Sequence, residues 1–271
     1  MKSLKITREL AIIGGVCVSV FVGPALADEG CMALGLGNGP AIYSQLQAAL
    51  AAATAAETSG LNLDMWGTLV SRDGTVCAVA RSSALGNQWP GSRVISAQKA
   101  NTANDFSLPP TGKAPAGLSL STANLYSAVQ PGGSLFGLQA SNPVDTEVAY
   151  QGPSANWGTA VDPMVGQKIG GVNVFGGGLA LYNASHQVVG AVGVSGDTSC
   201  ADHFKAWRVR HTLGLDHLAG VGGVSGDPQR PDNIIFDITP NLAGGTGASV
   251  GGFGHPKCIN TGNPATLAPV Q

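Results

Sequence analysis

The run Gly170-Gly171-Val172-Asn173-Val174-Phe175-Gly176-Gly177-Gly178-Leu179-Ala180-Leu181-Tyr182 passes through a polar turn, Asn183 to His186. It continues as Gln187-Val188-Val189-Gly190-Ala191-Val192-Gly193-Val194-Ser195-Gly196-Asp197. Two apolar stretches bounded by turn residues read as two strands of a hairpin. The Ser195-Gly196-Asp197 corner leads into a helix expected from about Asp202 to Leu218. Gly176 to Gly178 lack the Gly-Lys-Ser/Thr ending of a phosphate loop. They fit a strand that another backbone or a flat ligand approaches closely. Ser195 is not a nucleophile elbow, because the second glycine of Gly193-Val194-Ser195-Gly196 comes one residue early.

Upstream, residues 40–59 form an Ala-rich helical pattern, with Ile42, Leu46, Ala49, Leu50, Ala53 and Ala56 on one side and Gly60 as the stop. Leu61 to Leu69 and Thr75 to Arg81 read as strands joined by a turn containing Asp73-Gly74. Arg93 to Phe106 is a second amphipathic helix, with Val94, Ala97, Ala100, Ala103 and Phe106 on its buried side. Residues 107–120 are Pro- and Gly-rich, Ser121 to Val129 is a candidate short helix, and 140–168 reads as irregular. From Gly220 onward there is little periodicity. The order helix, strand, strand, helix, long connection, strand, strand, helix implies one α/β (α+β) domain with a largely antiparallel sheet.

The first 27 residues read as a secretory signal peptide. Lys2, Lys5 and Arg8 precede an apolar stretch from Ala11 to Val22, and Ala25-Leu26-Ala27 fits the small-x-small cleavage rule. The apolar stretch falls short of the roughly 20 residues of a membrane span. Val16 before Cys17 does not suit a lipoprotein signal. Loss of Lys2, Lys5, Arg8 and Glu9 with the leader leaves 11 basic and 15 acidic residues, a net charge of -4. That balance argues against a nucleic-acid or anionic-membrane surface, which needs clustered cations. Cys31, Cys77, Cys200 and Cys258 remain, and an even number in an exported chain suits two disulfides. Three pairings are open. Cys31 with Cys77 and Cys200 with Cys258 is preferred, because each would tether a chain end to the sheet. A periplasmic or secreted protein is expected.

Four pieces of this chain carry a resemblance. They are the Ala-rich helix with strand, Asp73-Gly74, strand and Arg81; Lys99-Ala100-Asn101-Thr102-Ala103 with Phe106; Gly170-Gly171-Val172 before a hairpin; and Gly190 to Gly196 with Asp202 in the next helix. In this order the chain resembles the GlcG/HbpS group of haem-binding proteins, some of them described as haem-degrading. The resemblance implies a profilin-like antiparallel sheet of about five strands with helices packed on it. It also implies a homo-oligomer and haem or a related tetrapyrrole as ligand. Residues 28–219 would be the family domain, with an insertion at about 107–169, and residues 220–271 a C-terminal extension. An exported haem-binding protein for capture, storage or sensing is the first expectation. The alternatives are an enzyme degrading haem or acting on a small organic acid, and a structural or partner-binding module without ligand.

Haem requires an apolar slot, a cation for its propionates and often an axial ligand. Lys99 and Thr102 match the family motif and lie three apart on a helix, so they share a side. Either Lys99 meets a ligand carboxylate and Thr102 faces the tetrapyrrole or its iron, or Lys99 forms an internal ion pair and Thr102 packs against the sheet. Arg81 and Arg93 are further propionate candidates, and Tyr43 is the ligand-capable side chain of the first helix. The histidines are His186, His203, His211, His217 and His255. His186 belongs to the hairpin turn, and His203, His211 and His217 to the last helix or its end.

The leader generates the first testable expectation. Expressed with its leader, the chain is exported and its product begins at Asp28, as N-terminal sequencing would read; an uncleaved or intracellular product would contradict it.

Overall fold

A computed structural model of the chain describes residues 30–84, 86, 88–239, 241, 243–245 and 247–271. The expected leader and its cleavage site lie outside the described residues.

The Asp73-Gly74 turn forms as its chemistry requires. The Asp73 carboxylate accepts bonds from the Ser71 hydroxyl (2.6 Å) and the Thr75 amide (3.1 Å), and Gly74 takes a positive φ of 82°. It joins β1 (Trp66–Ser71) to β2 (Val76–Arg81). The second hairpin is β3 (Gly178–Tyr182) and β4 (Val188–Ser195). These make one antiparallel sheet in the order β2-β1-β4-β3. The main sheet thus has four strands where about five were expected. Residues 170–177, read as the start of the third strand, do not join the sheet: Val172 and Val174 pack with Leu120, Leu125 and Val129 in a separate apolar cluster, so β3 starts only at Gly178.

Helix α1 (Gly39–Ala56) is capped by Asn38, and all its predicted apolar positions except Ala56 are buried. With α3 (Ser199–Thr212) it covers one sheet face, over Leu69, Ala80, Leu179, Val192 and Val194. Helix α2 (Ser92–Asp105) covers the other, over Val70, Val79 and Ala191. Thr198 caps α3, starting it three residues before the predicted position.

The two faces differ in how closely the helices approach. Gly178 and Gly193 are cross-strand partners under α2. A Cβ on Gly193 would lie 1.9 Å from the Ser96 carbonyl oxygen, and one on Gly178 2.3 Å from that of Lys99. The glycine run therefore serves backbone-to-backbone packing of a helix on a strand pair.

Residues 107–169 lie over the outer side of α2. Ala149, Met164 and Ile169 pack on it, and short helical turns at Leu138–Ser141 and Thr146–Ala149 replace the irregular backbone expected there. Arg93 anchors this segment through two bonds to Asp162 (2.8 and 2.5 Å) and one to the Ala149 carbonyl (2.7 Å). The extension beyond 220 wraps back to α3. Asp232 accepts both Arg210 terminal nitrogens (2.6 and 2.9 Å) and the Ser119 hydroxyl (2.8 Å). Disulfides join Cys31 to Cys77 and Cys200 to Cys258, the preferred pairing. They close loops of 46 and 58 residues, each worth roughly 4 kcal/mol in unfolded-chain entropy. The second fastens the extension to the start of α3 rather than to a strand.

Gly193→Ala is expected to lose about 1–3 kcal/mol, because the helix must lift off the sheet. Gly112→Ala, where a Cβ meets nothing within 4 Å, should stay within about 0.5 kcal/mol. Urea midpoints compare the two, and equal midpoints would refute the close-packing account.

Candidate functional site

The polar side of α2 is committed inside the protein. The Lys99 ammonium donates to Asp202 Oδ2 (2.6 Å), the Val194 carbonyl (3.2 Å) and Ser195 Oγ (3.4 Å). Both ion-pair partners are buried. Burial holds the Lys99 ammonium below its usual range and pushes the Asp202 carboxyl up to about 6. Asp202 Oδ1 accepts the Asp197 amide (2.9 Å). Asp197 in turn accepts the Leu61, Leu63 and Thr198 amides and the Lys205 ammonium. Thr102 Oγ1 donates to the Gln98 carbonyl (2.7 Å) and accepts the Asn173 amide (2.9 Å). The internal ion pair and the packed threonine are thus the arrangement present.

Tyr43 and Arg81 come together elsewhere, around Gly158 of the 107–169 segment. The Tyr43 hydroxyl donates to the Gly158 carbonyl (3.4 Å). A Cβ on Gly158 would lie 2.6 Å from Arg81 Cγ and 2.7 Å from the Trp66 ring. This edge is plugged by backbone. Arg93 is spent on Asp162 and stacks 4.6 Å from the Trp157 ring centroid.

A cavity of about 730 Å³ opens where the 107–169 segment meets the extension, within the roughly 300–1,000 Å³ of small-molecule and cofactor sites. Its wall includes Tyr126, Phe236, Ile238, His255, Pro256 and Lys257. Ile238 belongs to β5 (Ile238–Thr239), paired with β6 (Ala248–Ser249) in a two-stranded arm. His255 is held by a bond between Nδ1 and the Pro256 carbonyl (2.7 Å) and by the Tyr126 ring at 5.0 Å. Its Nε2 is buried with no hydrogen-bond partner. Burial pulls the imidazole down to about 4, so it is neutral at neutral pH. Lys257 is exposed on the same wall. The apolar and aromatic wall and the exposed lysine suit a flat apolar ligand that carries carboxylates, as haem does, whereas His255 Nε2 is covered and not open to the cavity.

Cys200, His255 and Cys258 also cluster, with ligand-capable atoms within 4.8 Å of one another. The two sulfurs are bonded to each other, which leaves His255 as the free donor of that trio.

Sequence reasoning did not single out His255 or Lys257. The available signal was their nearness to Cys258, whose disulfide pins that segment to α3. His186 lies in the hairpin turn, as expected, and its Nδ1 bonds the His217 carbonyl (3.0 Å). His203 is fully buried, and its Nε2 accepts the Ile234 amide (3.2 Å).

A family model described as "Haem degrading protein HbpS-like" matches residues 44–208. Similar solved structures include Klebsiella pneumoniae protein ORFY, at 26% identity over 63% of this chain and 86% of that one, with a TM-score of 0.41. A PduOC:heme complex shows 21% identity over 62% and 89%, with a TM-score of 0.42. A double mutant of Streptomyces reticuli HbpS shows 14% identity over 78% and 99%, with a TM-score of 0.36. No curated protein gives a significant match.

His203 generates a pH prediction. Burial pushes its imidazole from 6.5 down to about 3. As pH falls, the unfolded chain takes up this proton first, so the His203 contribution lowers stability progressively below about pH 6.5. Asp202, pushed up to about 6, acts in the opposite sense, so a difference measurement is needed. Between pH 7 and pH 5 the unaltered chain should lose roughly 2 kcal/mol more than His203→Asn. Urea unfolding at the two pH values measures it, and parallel losses would refute it.

Proposed function

From the membership of this chain in the HbpS-like family, which residues 44–208 establish, we propose that it is an exported haem-binding protein that captures, stores or senses haem. The observation that carries the reading is the cavity of about 730 Å³ with its aromatic wall and exposed lysine. Bound there, haem would supply a redox-active iron. The aromatic and apolar wall would bind and orient it, with Lys257 facing its carboxylates.

We assign ligand contact to this cavity. Lys99 and Thr102 act as positioning residues, fixing α3 through Asp202 and residues 172–174 through the Asn173 amide. Tyr43 and Arg81 contact a ligand only if the Gly158 segment moves aside. Two disulfides suit an oxidising compartment, periplasmic or extracellular. Among the described residues no helix is long and apolar enough to cross a membrane. Assembly as a homo-oligomer is part of the proposal.

Titration of the exported chain with haemin, followed by absorbance, tests the reading. A saturable Soret band with micromolar or tighter affinity is the expected result. A band no stronger than that of an unrelated protein of similar charge would overturn it.

A further inference from the structure

We propose that the cavity recognises a flat macrocycle and its carboxylates and is indifferent to the metal at the centre, so that a metal-free porphyrin binds as tightly as haem. This inference rests on the haem-binding reading and names the ligand class of the same site.

The side chains that could hold iron are each withheld. Haem iron takes an imidazole nitrogen, a thiolate, a methionine sulfur or a phenolate from a protein. His255 Nδ1 lies 2.7 Å from the Pro256 carbonyl, an acceptor, so this nitrogen carries the ring proton and has no lone pair to give. Its Nε2 is covered and not open to the cavity. Cys200 and Cys258 are bonded to each other, so neither supplies a thiolate. Among the described residues no methionine lines the cavity. Tyr126 does line it, but a phenol ligates only after losing its proton, and among the described residues no acceptor takes that proton.

What the wall does offer is the same for any porphyrin. Tyr126, Phe236, Ile238 and Pro256 present ring and aliphatic surface, which packs against the face of a flat aromatic system. That attraction follows the apolar area removed from water, and the macrocycle carries this area with or without a metal. The carboxylates of a porphyrin sit on its rim, away from the central nitrogens. Lys257 is exposed on the same wall, and among the described residues no carboxylate pairs with it. The nearest acidic group in sequence, Asp237, accepts the Ser249 hydroxyl (2.8 Å) and the Gly251 amide (3.0 Å) instead. Face and rim are therefore read, and the centre is not.

The test titrates the exported product with haemin, followed by absorbance, and with protoporphyrin IX, followed by its fluorescence. An unrelated protein of similar charge sets the baseline for each. The two affinities should agree within about threefold, because one added bond of about 1.4 kcal/mol to the iron would separate them tenfold. The ferric complex should show no nitrogen-ligated electron paramagnetic resonance spectrum, and Tyr126→Phe should leave its spectrum unchanged. Lys257→Ala should weaken both ligands in parallel by about 2–5-fold. Phe236→Asp, which sets a carboxylate in the apolar wall, should weaken both at least roughly tenfold. Urea midpoints verify folding, and if Phe236→Asp does not fold, Lys257→Ala places the site by itself.

If neither ligand binds above the baseline, the parent reading fails and this inference with it. If haemin binds and the two affinities differ tenfold in either direction, indifference to the metal alone is overturned. A nitrogen-ligated ferric spectrum, or one altered by Tyr126→Phe, overturns it too. Folded variants that bind both ligands as the unaltered chain does would place the porphyrin outside this cavity and overturn the assignment.

Discussion

The architecture depends on one close approach, the seating of α2 on the glycine pair Gly178 and Gly193. Side chains normally separate a helix from a sheet. Here the Ser96 and Lys99 carbonyls occupy the space that Cβ atoms would fill. That depth places the Lys99 ammonium within reach of Val194, Ser195 and Asp202, so the helix is locked by charge as well as by fit. It also leaves α2 buried on nearly every side, with the sheet beneath and residues 107–169 above. A helix in that position cannot offer its polar groups to a ligand without dismantling the layer it supports.

Buried ion pairs repeat this pattern at each junction. Arg93–Asp162 fixes the long connection to α2, and Arg210–Asp232 fixes the C-terminal extension to α3. Lys205–Asp197 joins α3 to the strand corner, and Lys99–Asp202 joins α2 to the start of α3. Desolvation offsets much of the attraction in such pairs, so their net stabilisation is small, yet removing one partner is expensive. They therefore favour one docking of each segment over others more than they add total stability. The disulfides do related work in the unfolded ensemble, and the second holds the cavity wall against the α3 start.

Much of the fold was legible because its signals are local. The α1 period, the Asp73-Gly74 turn, the Asn183–His186 turn and the apolar runs of β3 and β4 depend on neighbours a few residues away. The glycine run announced a close approach but not its partner, since a helix backbone and a flat ligand impose the same steric demand. Val172 and Val174 read as strand, and only the competing cluster with Leu120, Leu125 and Val129 drew them away. Lys99 and Thr102 were legible as a motif, but whether they faced a ligand or the interior depended on Asp202 and Asn173, far away in sequence.

By itself, the sequence determined the α/β class, the two hairpins, the three main helices and the resemblance to a haem-binding family. These follow from periodicity, turn chemistry and short motifs, which act over a few residues. The tertiary structure alone decided which polar groups are spent and where space remains. Lys99 is neutralised by a carboxylate 103 residues away. The cavity exists only because Tyr126 meets a segment beyond residue 235 that has no periodicity of its own. Burial, orphaned atoms and cavities are properties of packing between distant segments, and no local pattern encodes them.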